Sequence, residues 1–164
     1  MLRLTIDTNA LDPADLTRLT AAAKGRAEIA TTTVTDRELR GSDIPSPGNS
    51  IFETAVWDES SYGNAVYGGP ETEELFERII HVISAGTLPG AGMRESMTPG
   101  QQRQLRDAMI LEAHSRAGRD ILVTKDVKGF IHHGRRETLE QLCGTRIMTV
   151  DEACTFLQHQ QLGA

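Results

Sequence analysis

Residues 120–124, with the sequence DILVT, are the clearest buried strand in the sequence. The run LRLTI at residues 2–6 predicts another short strand, and residues 29–34 (IATTTV) are rich in the β-branched residues that favour strands. Residues 145–149 (TRIMT) predict the last strand. Helical patterns separate these runs, which indicates a mostly parallel sheet with helices on both faces. The sequence therefore predicts an α/β fold, specifically an α/β/α sandwich.

Capping residues and prolines mark where the predicted helices begin. Thr35 and Glu38 have the spacing of a capping box, in which a Thr and a Glu three residues later cap the first turn, and Thr149 and Glu152 repeat it. Asp12 caps a helix whose first residue is Pro13, Pro70 opens another, and Thr98-Pro99-Gly100-Gln101 caps a third. The helices are predicted over residues 12–25, from 35, over 70–86, 98–118 and 137–143, and from 149.

The length of 164 residues suits one domain with a buried core, so we expect a single domain over residues 1–164. Residues 41–70 predict an irregular insertion, because Ser, Gly, Pro and Asn dominate there. Acidic neighbours would repel RNA phosphates, so aromatic side chains in this insertion are expected to be buried against the body or against another chain, either a protein partner or the second subunit of a homodimer. These aromatic residues are Phe52, Trp57, Tyr62 and Tyr67.

Bulk properties exclude several classes of protein. Lys and Arg number 17 against 23 Asp and Glu, so bulk positive charge cannot hold a nucleic acid. The chain has no apolar run near the ~18 residues of a membrane-spanning helix, and its opening MLRLTIDTN has no signal-peptide core. Cys143 and Cys154 do not form a CxxC metal motif. We expect no membrane partner and a cytoplasmic location.

Four acidic residues are predicted to meet at one edge of the sheet. Asp7 follows the LRLTI strand and Asp126 follows the DILVT strand, at the carboxyl ends where open α/β sheets bind ligands. Glu38 lies one helical turn past the second strand, and Asp107 lies in the first half of the helix before DILVT. Such carboxylates repel one another without a cation. Oxygen-only clusters suit hard cations, Mg²⁺ or Mn²⁺.

Each acid alone has a simpler interpretation. Asp often follows a strand as a turn residue, which would account for Asp7 or Asp126. Asp107 would pair with Arg103 one turn earlier on a solvated face. The ordered set of four acids is far more specific than any one of them.

Glu38 has a structural alternative of its own. It would complete the capping box with Thr35 and have no part in a site. Asp36 is then the nearest substitute as the second acid.

Five segments occur in the order and approximate spacing of a known family: LTIDTNAL, TTVTDREL, LRDAMILEAH, ILVTKDVKGF and RIMTVDEACTFL. The sequence resembles PIN-domain ribonucleases, including the VapC-type toxins, over residues 1–40 and 98–157. The insertion at 41–70 departs from the compact family pattern. The acids that these motifs carry over as metal ligands and catalytic residues are Asp7, Glu38, Asp107 and Asp126.

The resemblance also implies supporting residues, a substrate and a partner. Thr8 and Asn9 of DTN and Thr124 of VTKD would lie in the same site. The implied activity is that of an endoribonuclease that uses Mg²⁺ or Mn²⁺ to cleave single-stranded RNA. A toxin of this kind would have an antitoxin protein as its partner.

Charge is unevenly distributed along the chain. Residues 36–77 hold ten acids against two bases, whereas residues 94–146 hold ten bases against seven acids, so RNA is expected at the second region. The candidate contacts are Arg94, Arg103, Arg106, Arg116, Arg119, Lys125, Lys128, Arg135 and Arg136.

Two other functions use the same features. A PIN-like domain that only binds or interacts is favoured by the insertion and the acidic balance. A flap-type DNA nuclease would use similar carboxylates, but it would need a larger chain with DNA-binding elements.

Overall fold

The computed structural model describes residues 1–44, 47–56, 60, 63, 65–90, 92–132 and 134–160. The strands are β1 Leu2–Ile6, β2 Ala27–Thr32, β3 Ser50–Ile51, β4 Glu53–Thr54, β5 Ala65–Val66, β6 Ile121–Val123 and β7 Arg146–Met148. The helices are α1 Pro13–Ala23, α2 Thr33–Glu38, α3 Pro70–Ser84, α4 Pro99–Arg116, α5 Arg135–Cys143 and α6 Val150–His159. A 3₁₀ turn, Thr8–Ala10, follows β1, and a π-helix, Val127–Ile131, follows β6.

The central sheet is parallel throughout and has the strand order β3-β2-β1-β6-β7. The chain moves from β1 outward to β2 and β3, and it later returns to the other side of β1 with β6 and β7. The crevice between the carboxyl ends of β1 and β6 is therefore a topological switch point, where α/β sheets bind ligands. Ile6 and Val123, the last residues of these two strands, are paired.

Helices cover both faces of this sheet, so the predicted α/β/α sandwich is confirmed. Helices α1 and α6 pack on one face, over side chains such as Leu4, Ile121 and Val123. Helices α3, α4 and α5 cover the other face, over Leu122 and Ile147. Neighbouring residues of β6 thus enter opposite cores, as the period of two in a strand requires. None of the described helices is long and apolar enough to cross a membrane.

The predicted start of α2 is wrong. The N-cap is Thr32, whose hydroxyl oxygen accepts a hydrogen bond from the backbone N–H of Thr35 at 3.2 Å. The helix therefore begins at Thr33, and Glu38 is its last residue and completes no capping box with Thr35. The error arose because β2 ends two residues earlier than predicted, in a run of threonines that all resemble caps. By contrast, the boxes at Thr98 and Thr149 are present.

The insertion at 41–70 contributes more regular structure than predicted. Strand β3 is an edge of the central sheet, and β4 pairs with β5 in a separate parallel pair. Tyr67 is 96% exposed and Phe52 is 49% exposed, so neither side chain is buried against the body of the chain, and for these two residues that part of the expectation is wrong. Their burial against another chain stays a prediction. Trp57 and Tyr62 lie outside the described residues. The buried residues of β4 are instead polar, Glu53 and Thr54.

Buried His114 provides a pH test of this fold. Its ring nitrogens lie 2.8 Å from the hydroxyl of Thr5 and 2.6 Å from that of Thr145. Burial, with a smaller effect of Arg119, lowers the pKa of His114 from 6.5 to about 3. The pKa of His114 is lower in the folded chain than in the unfolded chain, so the folded state favours the neutral ring. The contribution of this ring to the free energy of unfolding is therefore complete above pH 6.5 and is lost as the pH falls toward 3.

We expect the stability advantage of the wild type over His114→Gln to shrink on acidification. The advantage in free energy of unfolding should fall by roughly 1.4 kcal/mol for each pH unit below about 6. Urea unfolding of both proteins across this range measures it. An advantage that does not change with pH would contradict the neutral, buried state of His114.

Candidate functional site

Asp7 lies at the carboxyl end of β1 and is 2% exposed. Its Oδ2 accepts a hydrogen bond of 2.6 Å from the hydroxyl of Thr124, which directly follows β6. Burial raises the pKa of Asp7 to about 6; the bond from Thr124 opposes this, and the carboxylates of Glu38 and Asp126 raise the pKa further. Asp7 is therefore within electrostatic reach of acids from two other parts of the chain.

Asp126 caps the π-helix with one of its carboxylate oxygens. Oδ1 accepts hydrogen bonds from the backbone N–H groups of Lys128 at 2.9 Å and Gly129 at 2.8 Å. Its own N–H donates to the Thr124 hydroxyl oxygen at 3.0 Å. Thr124 consequently links both aspartates, since its hydroxyl donates to Asp7 and accepts from the backbone of Asp126.

Asp107 is the acid most affected by its neighbours. Burial raises its pKa to about 8, and the carboxylates of Asp7, Asp126 and Glu38 contribute in that order. Arg103 opposes the rise, but it is the weakest of the five influences. Asp107 is thus better described as a member of the acid cluster than as the surface partner of Arg103.

Gly129 lies between two of these carboxylates. A Cβ atom added to it would lie 2.4 Å from Oδ2 of Asp126 and 3.2 Å from Oδ2 of Asp107. Glycine therefore allows the two acids to border the same small space. Nothing in the sequence analysis selected this residue, although its position three after Asp126 is a spacing at which an Asp side chain caps a turn.

Glu38 contacts the other segments from the end of α2. One of its oxygens accepts a hydrogen bond from the Thr8 hydroxyl, and Oε1 lies 3.8 Å from Nη1 of Arg106 on α4. Asp36, the substitute for the second acid, is engaged elsewhere: it accepts hydrogen bonds from the hydroxyls of Thr31 and Ser50 beside β3. Glu38 is therefore the acid of α2 that joins the cluster.

Glu38→Gln is expected to leave stability within ~0.5 kcal/mol of wild type, because the residue caps no helix and Gln can still accept the bond from Thr8. We expect the rise in melting temperature caused by Mn²⁺ to be clearly smaller in the variant, since one charge leaves the cluster. Asp36→Asn, which removes a charge two residues away, should keep the wild-type rise. Equal Mn²⁺ responses in Glu38→Gln and wild type would exclude Glu38 as a ligand.

Asn9 and Lys125 hold the loop that carries Asp126. Oδ1 of Asn9 accepts a hydrogen bond from the backbone N–H of Lys125 at 2.7 Å. The ammonium group of Lys125 binds the carboxylates of both Asp12 and Asp15 at the start of α1. The predicted supporting residues Thr8, Asn9 and Thr124 thus lie beside the candidate acids. Lys125 links this loop to α1, and its charge is already paired with two carboxylates.

Several other basic candidates are also committed to contacts within the chain. Arg119 is buried, and its guanidinium binds the carbonyl oxygens of Leu4 and Glu28 between β1 and β2, so its prediction as an RNA contact is wrong. Ion pairs join Arg94 to Glu77, Arg116 to Glu112, and Arg136 to Glu140 and Glu152. Arg103 is exposed near the acids, and Arg106 is partly exposed there.

The chemical type of the donor atoms in the site suits a hard cation. All four side chains supply carboxylate oxygens, the ligands that Mg²⁺ and Mn²⁺ prefer. Across the part of the chain that the structure describes, no three His, Cys, Asp or Glu side chains are grouped closely enough to hold a metal ion as they stand. A cation would therefore have to draw these acids closer together.

No model of a known protein family matches the chain, and no curated protein is significantly similar to it in sequence.

Proposed function

We propose that the chain is a divalent-metal-dependent endoribonuclease that cleaves phosphodiester bonds of single-stranded RNA. The observation that carries the proposal is geometric: the Thr124 hydroxyl links Asp7 and the backbone of Asp126 at adjacent strand ends, and Oδ2 of Asp126 and Oδ2 of Asp107 border the same space beside Gly129. The raised pKa of Asp107 agrees with this arrangement. Four acids from distant segments repel one another at the ligand-binding edge of a parallel sheet, an arrangement that a cation neutralises. The resemblance to PIN-domain ribonucleases points to the same chemistry.

The four acids would hold one or two Mg²⁺ or Mn²⁺ ions. Such an ion lowers the pKa of a bound water and neutralises charge on phosphoryl oxygens. The Thr124 hydroxyl orients Asp7 and the backbone of Asp126, and the Thr8 hydroxyl orients Glu38. These two threonines would keep the acids in place as substrate binds.

Arg103 and Arg106 are basic side chains close to the acids, and they would bind RNA phosphates, Arg106 while also lying 3.8 Å from an oxygen of Glu38. Both lie on α4 within one turn of Asp107, and both reach solvent. Local positive charge of this kind can attract a phosphate backbone to a chain whose net charge is −6. Single-stranded RNA suits the site because its unpaired bases are accessible and its backbone can bend toward the acids.

A cleavage assay tests the proposal directly. A panel of labelled single-stranded RNAs is incubated with the protein and Mn²⁺, with EDTA as the metal-free control and Asp126→Asn as the site control. We expect cleavage only with Mn²⁺ and only with wild type, leaving 5′-phosphate and 3′-hydroxyl ends. Equal cleavage by Asp126→Asn would assign the activity to a contaminant, and no cleavage of any RNA would argue against the enzyme.

The second candidate is a PIN-like module that binds a partner and has no catalytic activity. The loose spacing of the acids among the described residues favours it. A Mn²⁺ titration separates the two, because a module of this kind needs no cation and its melting temperature should not respond. If the nuclease proposal holds, the resemblance adds an antitoxin protein as a proposed partner. A homodimer through the insertion and a cytoplasmic location are further proposals from the sequence.

A further inference from the structure

A buried carboxylate from the insertion binds α2 near both of its ends. The side chain of Glu53, in β4, is 0% exposed. Its Oε1 lies 2.6 Å from Nη1 of Arg37, and its Oε2 accepts a hydrogen bond of 3.1 Å from the hydroxyl of Thr33. The backbone N–H of Glu53 donates to the same hydroxyl oxygen at 3.0 Å. Thr33 is the first residue of α2, and Arg37 immediately precedes Glu38.

Helix α2 depends on such contacts for its position. It has six residues, and isolated helices of that length are unstable in water because nucleation is costly. A buried carboxylate, in turn, is tolerated only where charged and hydrogen-bonding partners compensate for its lost hydration. Glu53 and α2 therefore fix each other in one arrangement.

We propose that Glu53 is a positioning residue for the candidate site. By holding Thr33 and Arg37 it sets where α2 ends, and so where the carboxylate of Glu38 stands relative to Thr8 and the other acids. The insertion at 41–70 would then be part of the framework of the site. This inference rests on the proposed function, because it concerns the position of a ligand for the same cation.

Glu112 offers a matched control in the same region. Its side chain is also 0% exposed, it pairs with Nε of Arg116 at 2.9 Å, and it accepts a hydrogen bond of 2.8 Å from the hydroxyl of Thr54. Like Glu53, it is a buried carboxylate that binds one arginine and one threonine, but its arginine lies on its own helix, α4, and its threonine lies in β4. Its contacts anchor β4 to α4, and they do not include α2.

The experiment compares Glu53→Gln with Glu112→Gln in two measurements. Titration with Mn²⁺, followed by melting temperature, gives the apparent affinity for the cation; hydrogen exchange with EDTA present gives the protection of the α2 amides. We expect both variants to be less stable than wild type. Only Glu53→Gln should lose about tenfold in Mn²⁺ affinity, the size of effect that residues orienting metal ligands have. It alone should also exchange the amides of Thr35 and Leu39 faster.

A double variant identifies the route of the effect. In a Glu38→Gln background, Glu53→Gln should cause no further loss of Mn²⁺ affinity, because the ligand that it positions is already altered. If Glu53→Gln fails to fold, Thr33→Val, which keeps the ion pair with Arg37, replaces it with the same expected direction.

The outcomes separate the two proposals. Equal effects of Glu53→Gln and Glu112→Gln on Mn²⁺ affinity and on α2 exchange overturn the positioning role, as does a full effect in the Glu38→Gln background. A wild-type protein whose melting temperature ignores Mn²⁺ overturns the proposed function instead. The exchange measurement, made without metal, still decides in that case whether Glu53 holds α2.

Discussion

Asp107→Asn is expected to abolish Mn²⁺-dependent cleavage while making the metal-free protein more stable. The wild-type carboxylate is partly buried, and desolvation, followed by the charges of three other acids, raises its pKa to about 8. Asn has a similar shape and no charge, so it removes both the desolvation and the repulsion. The same change removes a ligand charge, and we expect cleavage to fall by roughly a hundredfold or more, since even residues outside the ligand shell cost 10–100-fold.

The stability effect has a definite dependence on pH. The pKa of Asp107 is higher in the folded than in the unfolded chain, so the wild type is unaffected below the ordinary value of 3.8 and loses stability as the pH rises toward 8. In EDTA the advantage of Asp107→Asn should therefore grow by up to ~1.4 kcal/mol per pH unit across that range. Urea unfolding at several pH values measures this growth.

Mn²⁺ should reduce or reverse the difference in free energy of unfolding between Asp107→Asn and wild type. A cation present at a hundred times its dissociation constant stabilises the folded form by about 2.7 kcal/mol, and the variant should gain much less. Asp43→Asn, which neutralises an exposed acid outside the cluster, controls for net charge and should behave as wild type. If Asp107→Asn were less stable than wild type in EDTA, the acids would not be repelling one another as described.

The parts of this fold that follow from local pattern could be predicted from the sequence. DILVT and LRLTI became β6 and β1, and the capping boxes at Thr98 and Thr149 begin α4 and α6. Asp7 and Asp126 were selected because the carboxyl ends of parallel strands share an edge. That geometry depends only on the strands being parallel, so it survived errors of a few residues in their bounds.

The start of α2 could not be predicted because several residues were equally suitable as caps. Thr31, Thr32, Thr33 and Thr35 all have side chains that can accept a bond from a helix N–H. Thr32 is the cap because β2 ends there, and the end of β2 depends on its pairing with β1 and β3, which lie elsewhere in the chain. This error affected the prediction of the site, because the capping box with Thr35 offered Glu38 a structural role that it does not have.

The partners of Glu53 and Lys125 could not be predicted for a different reason. Glu53 lies in a polar, acidic stretch that is typical of a solvated loop, and its partners Thr33 and Arg37 are far from it in the chain. Its burial depends on a contact between β4 and α2 that no local period reveals. The same holds for Lys125, whose binding to Asp12 and Asp15 removes it from the surface charge available to RNA.

Gly129→Ala should impair the site without removing any acid. Its new Cβ would meet Asp126 at 2.4 Å from Oδ2 and 2.9 Å from Cγ, which is closer than packed atoms approach. The carboxylate cannot simply turn aside, because its Oδ1 accepts the bonds from Lys128 and Gly129 that cap the π-helix. Either these bonds break or the π-helix shifts, and both move Asp126 away from Asp107.

We expect Gly129→Ala to lower stability by about 1 kcal/mol, the usual cost of a lost cap, and Mn²⁺ affinity by about tenfold. Cleavage should fall further than affinity, because a misplaced ligand also misplaces the attacking water, and an error of ~1 Å can cost about a hundredfold in rate. Gly90→Ala is the matched control, since a Cβ there meets nothing within 4 Å. Mn²⁺ titration and cleavage rates for both variants decide the matter. Wild-type values for Gly129→Ala would mean that the acids do not need the space beside this glycine, and that Asp126 and Asp107 act apart.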